Sequence, residues 1–123
     1  MAKQKKTLVI GATPNPDRYA YRAARMLASH GHPCVLYGIK KGGVDGQPIL
    51  NEWPAAIPDL DTVTLYIGPD KQPPMYDKIL ALNPARILFN PGTENPELVK
   101  LARQKGIETE YACTLVLLST GQY

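Results

Sequence analysis

The stretch "VIGATPNPDRYAYRAARML" at residues 9–27 decides the fold, because in it an apolar strand runs into a helix through a single glycine. Thr7–Gly11 is short, apolar and rich in branched residues, as a strand buried on both faces is. Asn15-Pro16-Asp17 predicts a helix start, since Asn caps helices, Pro suits the first position and an early Asp complements the helix dipole. The stretch therefore predicts the opening of an α/β fold, with a turn suited to binding phosphate.

The predicted helix carries small apolar side chains at helical spacing, which would let it lie close to a sheet. These residues are Ala20, Ala23, Ala24, Leu27 and Ala28. Gly31 is predicted to end the helix, and Pro33–Ile39 is the second strand. A strand–helix–strand unit implies a parallel pair with a right-handed crossover.

The rest of the chain continues the alternation of strands and helices. Further strands are predicted at Thr62–Gly68, Ala85–Phe89 and Ile107–Tyr111, and helices at Pro74–Leu82 and from Asn95-Pro96-Glu97 to Gly106. Lys40–Pro58 is predicted to be a loop with one short hairpin, and Thr114–Leu118 a short apolar closing segment. The pattern predicts one α/β domain over residues 1–123, a doubly wound five-stranded parallel sheet of Rossmann type with helices on both faces.

Composition narrows the class of protein. A chain of 123 residues with 44% hydrophobic content fits one globular domain. A net charge of +3 is too small to indicate nucleic acid as a partner, and the apolar run near the start is too short for a signal peptide or a membrane helix. Cys34 and Cys113 lack metal-ligand or redox spacing. We therefore expect a cytoplasmic protein with reduced thiols and no metal, nucleic-acid or membrane partner.

Ligands of such sheets bind beyond the carboxyl ends of the strands, where the strand order reverses. The segments expected there are Gly11–Asn15, Gly38–Lys41, Gly68–Pro69, Asn90–Thr93 and Ala112–Thr114. Glycine permits tight turns and close approach of a ligand, and the first segment leads into a helix whose free N–H groups favour an anion. A single glycine turn also serves purely structural purposes, so both interpretations stay open on these residues alone.

The residues at the end of the second strand indicate which kind of nucleotide the site favours. Domains that bind NAD carry an acidic residue about 20 positions beyond the glycine motif, to hold the ribose hydroxyls. Here the strand ends in Gly38, Ile39, Lys40 and Lys41, with no acid. The two lysines suit a ribose that bears a phosphate, as in NADP or coenzyme A (CoA), or they are ordinary loop lysines. Either way the sequence disfavours NAD.

Two long stretches, "VIGATPNPDRYAYRAARMLASHGHPCVLYG" and "LFNPGTENPELVKLARQKGIETEYACTLV", carry a family resemblance. They resemble the small single-domain CoA-binding proteins with a Rossmann-like fold, which are similar to the CoA-binding domain of the succinyl-CoA synthetase α-subunit. The matching positions are Gly11-Ala12-Thr13, Pro16, Arg18, Tyr21-Arg22, Gly31-His32 and Cys113. The family's Pro-Val-Asn-Pro after strand two is replaced by Tyr37-Gly38-Ile39-Lys40, and Asn90-Pro91-Gly92-Thr93 departs from the commoner Gln-x-Gly.

The resemblance implies CoA as the cofactor, with its pyrophosphate on the amides of Ala12–Thr13 and the first helical turn. Asn15 would fix where the helix begins, and Arg18 would reach the phosphates. The segment after strand two borders the adenosine in the family. The candidate cofactor-binding residues are Gly11, Ala12, Thr13, Asn15, Arg18, Tyr21, Gly38, Lys40, Lys41, Gly68, Pro91, Gly92 and Cys113.

No catalytic set is expected from the sequence. His30 and His32 flank Gly31 at the end opposite the crevice and are predicted to be surface residues, and the acidic residues show no pairing. Cys113 is either an inert buried thiol or a group that lines the pantetheine channel and forms a mixed disulfide with CoA. The predicted function is non-catalytic binding of CoA or an acyl-CoA. The alternatives are an NADP-type nucleotide sensor or reductase fragment, and a protein-interaction scaffold, with an unknown partner, that has lost its ligand.

Overall fold

The computed structural model describes residues 4–123, which form a seven-stranded sheet and four α-helices. The strands are β1 (Thr7–Ile10), β2 (Cys34–Tyr37), β3 (Gly43–Val44), β4 (Gln47–Leu50), β5 (Thr62–Leu65), β6 (Arg86–Phe89) and β7 (Glu108–Tyr111). The helices are α1 (Tyr19–Ser29), α2 (Tyr76–Ala81), α3 (Pro96–Gln104) and α4 (Thr114–Ser119). Two short 3₁₀ turns, Pro69–Lys71 and Pro73–Met75, precede α2.

Strand β1 lies inside the sheet, whose strand order is β3-β4-β2-β1-β5-β6-β7. It pairs in parallel with β2 on one side and β5 on the other, so that Thr7 lies opposite both Cys34 and Thr62. The chain builds outward from β1 in both directions, and the strand order therefore reverses beside it. This is the switch point at which open α/β sheets bind ligands.

The hairpin of β3 and β4 changes the predicted strand count, because it joins the sheet. Strand β4 pairs in parallel with β2, with Ile49 opposite Leu36, and β3 pairs antiparallel with β4. The prediction of five strands, all parallel, is therefore wrong, whereas the Rossmann-like α/β class is confirmed. The turn Asp45-Gly46 has positive φ at both residues, as a tight hairpin turn requires, and buried Val44 anchors the hairpin.

The core forms two layers, one on each face of the sheet. Leu8 and Ile10 of β1 face the layer that contains residues of α2 and α3, and Val9 faces the layer that contains residues of α1 and α4. Alternate side chains of a strand point to opposite faces, and all four positions of β1 are buried. Helices cover both faces of the sheet, as the sequence predicts.

Helix α1 begins later than predicted. Asn15 does not cap it: its Oδ1 accepts the Asp17 N–H at 3.0 Å and its carbonyl accepts the Arg18 N–H at 3.1 Å, which closes a separate turn. Asn-Pro-Asp suits a turn as well as a helix start, and here the turn forms. The helix starts at Tyr19 and ends before Gly31, whose φ is +81°.

The small-residue face of α1 packs against the sheet layer as predicted, with one exception. Its buried residues are Ala20, Ala23, Ala24 and Leu27. Ala28, predicted on the same face, is exposed in the groove between α1 and α4. Within residues 4–123, no helix is long and apolar enough to cross a membrane.

Helix α3 begins where the sequence predicts, at Pro96. Asn95 is its N-cap, and the Asn95 Oδ1 accepts the N–H groups of Glu97 at 3.1 Å and Leu98 at 3.3 Å. Two of the amides that the helix cannot satisfy internally are thus bound by a side chain. The start of α1 differs from that of α3 in this respect.

Candidate functional site

A crevice of about 940 Å³ lies over the carboxyl ends of the strands, between the loops that follow β1, β2, β5 and β6. Most candidate residues from the sequence line it: Gly11, Ala12, Thr13, Asn15, Arg18, Gly38, Lys40, Gly68, Pro91 and Gly92. Its size lies at the upper end of the range of small-molecule and cofactor sites.

The glycine turn after β1 fits tightly between its neighbours. The N–H groups of Gly11 and Ala12 both donate to the Tyr37 carbonyl, at 2.9 Å and 3.0 Å. A side chain on Gly38 would collide with the carbonyl oxygen of Ala12. The Ala12 amide is therefore engaged with the end of β2, whereas the Thr13 N–H has no acceptor among residues 4–123.

The start of α1 is open toward the crevice. The N–H groups of Tyr19, Ala20 and Tyr21 have no acceptor within the described part of the chain, and the Arg18 side chain makes no capping hydrogen bond. Tyr19 and Ala20 also line the crevice. Free amides at the positive end of a helix dipole form a site for an anion.

Cationic side chains come to the crevice from three separate loops. Arg18 precedes α1, Lys40 follows β2, and Lys71 lies in the turn between β5 and α2. Asp17 also lines the crevice. Sequence reasoning missed Lys71, which stands two positions beyond the predicted segment Gly68–Pro69.

The loop after β6 contains an amide that already binds a carboxylate. The Gly92 N–H donates to Glu94 Oε1 at 2.9 Å, and Glu94 itself is exposed. Gly92 and its neighbours Pro91 and Thr93 line the crevice. The Gly92 N–H can therefore donate to an anionic or carbonyl oxygen from outside the chain in place of Glu94.

Apolar side chains form part of the crevice surface, and sequence reasoning missed them. Ile39 is 88% exposed and Tyr19 is 66% exposed, although both are large and apolar. Tyr37 also lines the crevice, and Trp53 packs edge-on against the Tyr37 ring at 4.9 Å between centroids. Exposed apolar groups on a concave surface favour contact with a ligand.

Asn90 joins three elements beneath the crevice. Its Nδ2 donates to Thr64 Oγ1 at 2.7 Å and to the Leu65 carbonyl at 2.8 Å, and its Oδ1 accepts the Thr114 N–H at 2.8 Å. The side chain is buried, so each of these bonds is shielded from water. Asn90 thereby links the ends of β5 and β6 to the start of α4.

Tyr66, which also lines the crevice, places its hydroxyl in a buried position beside Thr64 and Thr114. The hydroxyl has no hydrogen-bond partner of normal geometry among the described residues. Burial raises the pKa of Tyr66, and proximity to Cys113 acts in the same direction. The group is therefore neutral at physiological pH.

Three candidate residues lie outside the lining of the crevice. Tyr21 lies in the groove between α1 and α4, Lys41 is exposed beyond Lys40, and Cys113 is the residue that precedes α4. Tyr21 and Lys41 each adjoin a crevice-lining residue in sequence, whereas Cys113 does not. Spacing along the chain located the segments but could not fix the direction of each side chain.

The two histidines lie away from the crevice lining, and His32 is not a surface residue as predicted. It is 8% exposed, its Nδ1 accepts the Lys5 N–H at 3.0 Å, and its ring lies 4.9 Å from that of Tyr123. Burial is the main cause that lowers the pKa of His32. Among residues 4–123, no group of three or more His, Cys, Asp or Glu side chains could hold a metal ion.

The doubly wound sheet and the crevice at its switch point define a Rossmann-like α/β protein. The family described as "CoA binding domain" matches residues 5–119, so the chain belongs to the CoA-binding domain family. The resemblance seen in the sequence is thereby confirmed. A comparison with curated proteins gives no match.

Solved structures match over nearly the whole chain. The crystal structure of an uncharacterized protein is 52% identical with a TM-score of 0.96, over 99% of this chain and 100% of that one. A hypothetical protein from Pyrococcus horikoshii OT3 is 23% identical with a TM-score of 0.84, over 96% and 84% of the two chains. Cell-free ID.343 from Thermus thermophilus is 21% identical with a TM-score of 0.78, over 97% and 91%. The last two show the fold alone.

Proposed function

We propose that the crevice binds CoA or an acyl-CoA and that the chain is a non-catalytic binding module. The observation that carries the proposal is the open start of α1, where the amides of Tyr19, Ala20 and Tyr21 lack acceptors beside the Gly11 turn. A pyrophosphate supplies the acceptors that these amides lack. Membership of the CoA-binding domain family favours CoA over other nucleotides that carry a pyrophosphate.

The pyrophosphate lies, in this proposal, between the free Thr13 amide and the first turn of α1. Arg18 follows Asn15 in the turn that leads into the helix and lines the same surface. A guanidinium there can bind phosphate oxygens in a bidentate way. Ala12 contributes through close approach of its backbone, because its amide is already bound to Tyr37.

The adenosine lies over the end of β2, against Gly38–Lys40. This segment lacks the family's prolines and is held instead by Asn51, whose Nδ2 donates to the carbonyls of Gly38 at 2.7 Å and Lys40 at 2.9 Å. Exposed Ile39 offers an apolar surface to the adenine, and Lys40 offers a cation to the 3′-phosphate. Asn51, directly after β4, thus fixes the position of this segment.

The pantetheine arm runs away from the pyrophosphate, along the loops after β5 and β6. We call this part of the crevice, formed by Ile67–Gly68, Met75 and Pro91–Thr93, the pantetheine half. Ile67 and Met75 are apolar, and the Gly92 amide can donate to a carbonyl of the arm. Mixed apolar and amide character suits the pantetheine arm.

Calorimetry with CoA, dephospho-CoA, NAD and NADP tests the proposal. We expect CoA to bind most tightly, dephospho-CoA more weakly, and NAD not at all. NADP binding without CoA binding would replace the proposal with a nicotinamide-nucleotide sensor. Binding of none of the four, together with no CoA in native mass spectra of the purified protein, would leave a scaffold that acts through a protein partner.

A further inference from the structure

Gln72 is a fully buried glutamine in the turn between β5 and α2, behind the wall of the crevice. Its Nε2 donates to the Ile67 carbonyl at 3.0 Å and to the Thr93 carbonyl at 2.8 Å. Ile67 follows β5 and Thr93 follows β6, and both line the crevice. A single carboxamide therefore ties together the two loops that form the pantetheine half.

The other end of the carboxamide is also bound. Gln72 Oε1 accepts from Asn95 Nδ2 at 2.9 Å, and the same Asn95 nitrogen donates to the Tyr76 hydroxyl at 2.7 Å. Asn95 is the N-cap of α3, so the network also fixes the start of that helix. Every polar atom of the Gln72 side chain has a partner, as a rigid buried network requires.

The other half of the crevice has separate supports. The Gly11 turn is bound to the Tyr37 carbonyl, and the segment after β2 is bound by Asn51. Gln72 makes no hydrogen bond to either of these segments. Loss of the Gln72 carboxamide would therefore alter one half of the crevice and leave the pyrophosphate and adenosine regions in place.

We propose that Gln72 is a positioning residue that fixes the separation of the Ile67 and Thr93 loops and so selects ligands that carry a pantetheine arm. The inference rests on the proposed function. Gln72 is absent from the crevice lining and acts through the two carbonyls that it holds. Without its donors, both carbonyls lose a buried partner and the two loops lose their common anchor.

The test compares two ligands, CoA and adenosine 3′,5′-bisphosphate, which lacks the pantetheine arm and the phosphate that joins the arm to the nucleotide. In Gln72→Met we expect the affinity for CoA to fall by about tenfold, since the carbonyls of Ile67 and Thr93 lose their buried donor. The affinity for the bisphosphate should stay within about twofold. Gln72→Asn keeps an amide, but its side chain is too short to reach both carbonyls. This variant replaces Gln72→Met in the comparison if Gln72→Met does not fold. Thr62→Val is the matched control, because Thr62 is a buried polar residue bound to Arg86 far from the crevice. We expect it to change neither affinity.

A measurement on the wild-type protein does not depend on how the variants fold. The NMR signals of the Gln72 side-chain amide should shift when CoA binds and stay in place with the bisphosphate. The positioning role would be overturned if the Gln72 variants lost affinity equally for both ligands, or if a folded variant lost no affinity for CoA. Equal NMR shifts with the two ligands would also overturn it. Failure of the wild-type protein to bind CoA would instead refute the proposed function, on which the inference depends.

Discussion

The methyl group that alanine would place on Gly11 would lie 3.0 Å from both the carbonyl carbon and the carbonyl oxygen of Tyr66. Gly11 also has a φ of +93°, a backbone conformation that residues with side chains rarely adopt. The ends of β1 and β5 approach each other so closely at the switch point that a Cβ atom on Gly11 would press against the Tyr66 backbone. Crowding and backbone conformation therefore both favour glycine in this turn.

Gly11→Ala should lower the free energy of unfolding by about 1–3 kcal/mol, the usual cost of such backbone strain, and should weaken CoA binding as the turn shifts. Urea unfolding and calorimetry measure the two effects. Gly31→Ala is the matched control, because Gly31 has a φ of +81° but nothing within 4 Å of the added Cβ. Gly31→Ala should lower the free energy of unfolding without weakening CoA binding. A similar loss of CoA affinity in both variants would contradict the role of the Gly11 turn.

Lys40→Ala should weaken CoA binding by about five- to tenfold, because a charge-assisted contact to the 3′-phosphate is lost. Binding of dephospho-CoA should not change, and the difference should shrink at high salt, since Lys40 is exposed. Lys41→Ala is the control, because Lys41 lies outside the crevice lining. Calorimetry at two ionic strengths measures all three proteins. An equal response of CoA and dephospho-CoA to Lys40→Ala would remove this lysine from the phosphate site.

His32 should make the stability of the protein depend on pH. Burial first, and then repulsion from His30, Lys5 and Arg86, hold the pKa of His32 below its ordinary 6.5, while Asp61 acts in the opposite direction. The unfolded chain therefore binds a proton at a higher pH than the folded chain does. The stability contribution is complete above pH 6.5 and is lost as the pH falls below it.

Urea unfolding at pH 7.5 and at lower pH should show this decline in the wild-type protein. His32→Asn should flatten it, because the amide oxygen can accept the Lys5 N–H without titrating. His30→Asn should retain most of it, because His30 is exposed and burial of His32 remains. An unchanged slope in His32→Asn would assign the pH dependence to another group.

Asn90→Asp should lower the free energy of unfolding at pH 7 by about 2–4 kcal/mol, because a buried carboxylate cannot donate to Thr64 or to the Leu65 carbonyl. Asn51→Asp is the control, because the Asn51 amide also donates two hydrogen bonds, to the carbonyls of Gly38 and Lys40, but is exposed. Asn51→Asp should lower the free energy of unfolding by much less than Asn90→Asp does. Equal losses of stability in the two variants, measured by urea unfolding, would show that the burial of Asn90 is not the cause.

CoA disulfide should modify Cys113, which lies outside the crevice lining but beside crevice-lining Tyr66. The Cys113 thiolate attacks one sulfur of the CoA disulfide, a mixed disulfide forms, and one CoA thiolate leaves. Cys34 should not react, because burial raises the pKa of Cys34 to about 11 and the thiolate is scarce. Intact mass should therefore increase in wild type and Cys34→Ser and not in Cys113→Ser. An adduct that persists in Cys113→Ser would contradict the assignment.

Local signals in the sequence predicted where several of the helices around the site begin or end. Asn95 caps α3 and Gly31 follows α1 as predicted, because a cap or a left-handed glycine acts on its own backbone. The predicted start of α1 was wrong, because Asn15 closes a turn that competes with the helix. Local chemistry allowed both outcomes, and only the folded chain distinguishes them.

The sequence pattern did not predict contacts between distant segments. Gln72 and Thr93 are 21 positions apart and meet only after β5 and β6 have paired. The hairpin was predicted, but its docking on β2 depends on burial of Val44 and Ile49 against the rest of the sheet. Lys71 was missed for a similar reason, since a charged residue in a turn carries no mark of the surface that it faces.

Trp53 gives the crevice an internal optical probe. It is the one tryptophan of the sequence, and its indole lies edge-on to Tyr37, whose ring forms part of the crevice wall. Indole emission responds to the polarity and motion of its immediate surroundings, and those include a ring that any occupant of the crevice can touch. Fluorescence of the unlabelled chain can therefore follow the arrival and departure of a ligand in real time, with no dye attached near the site.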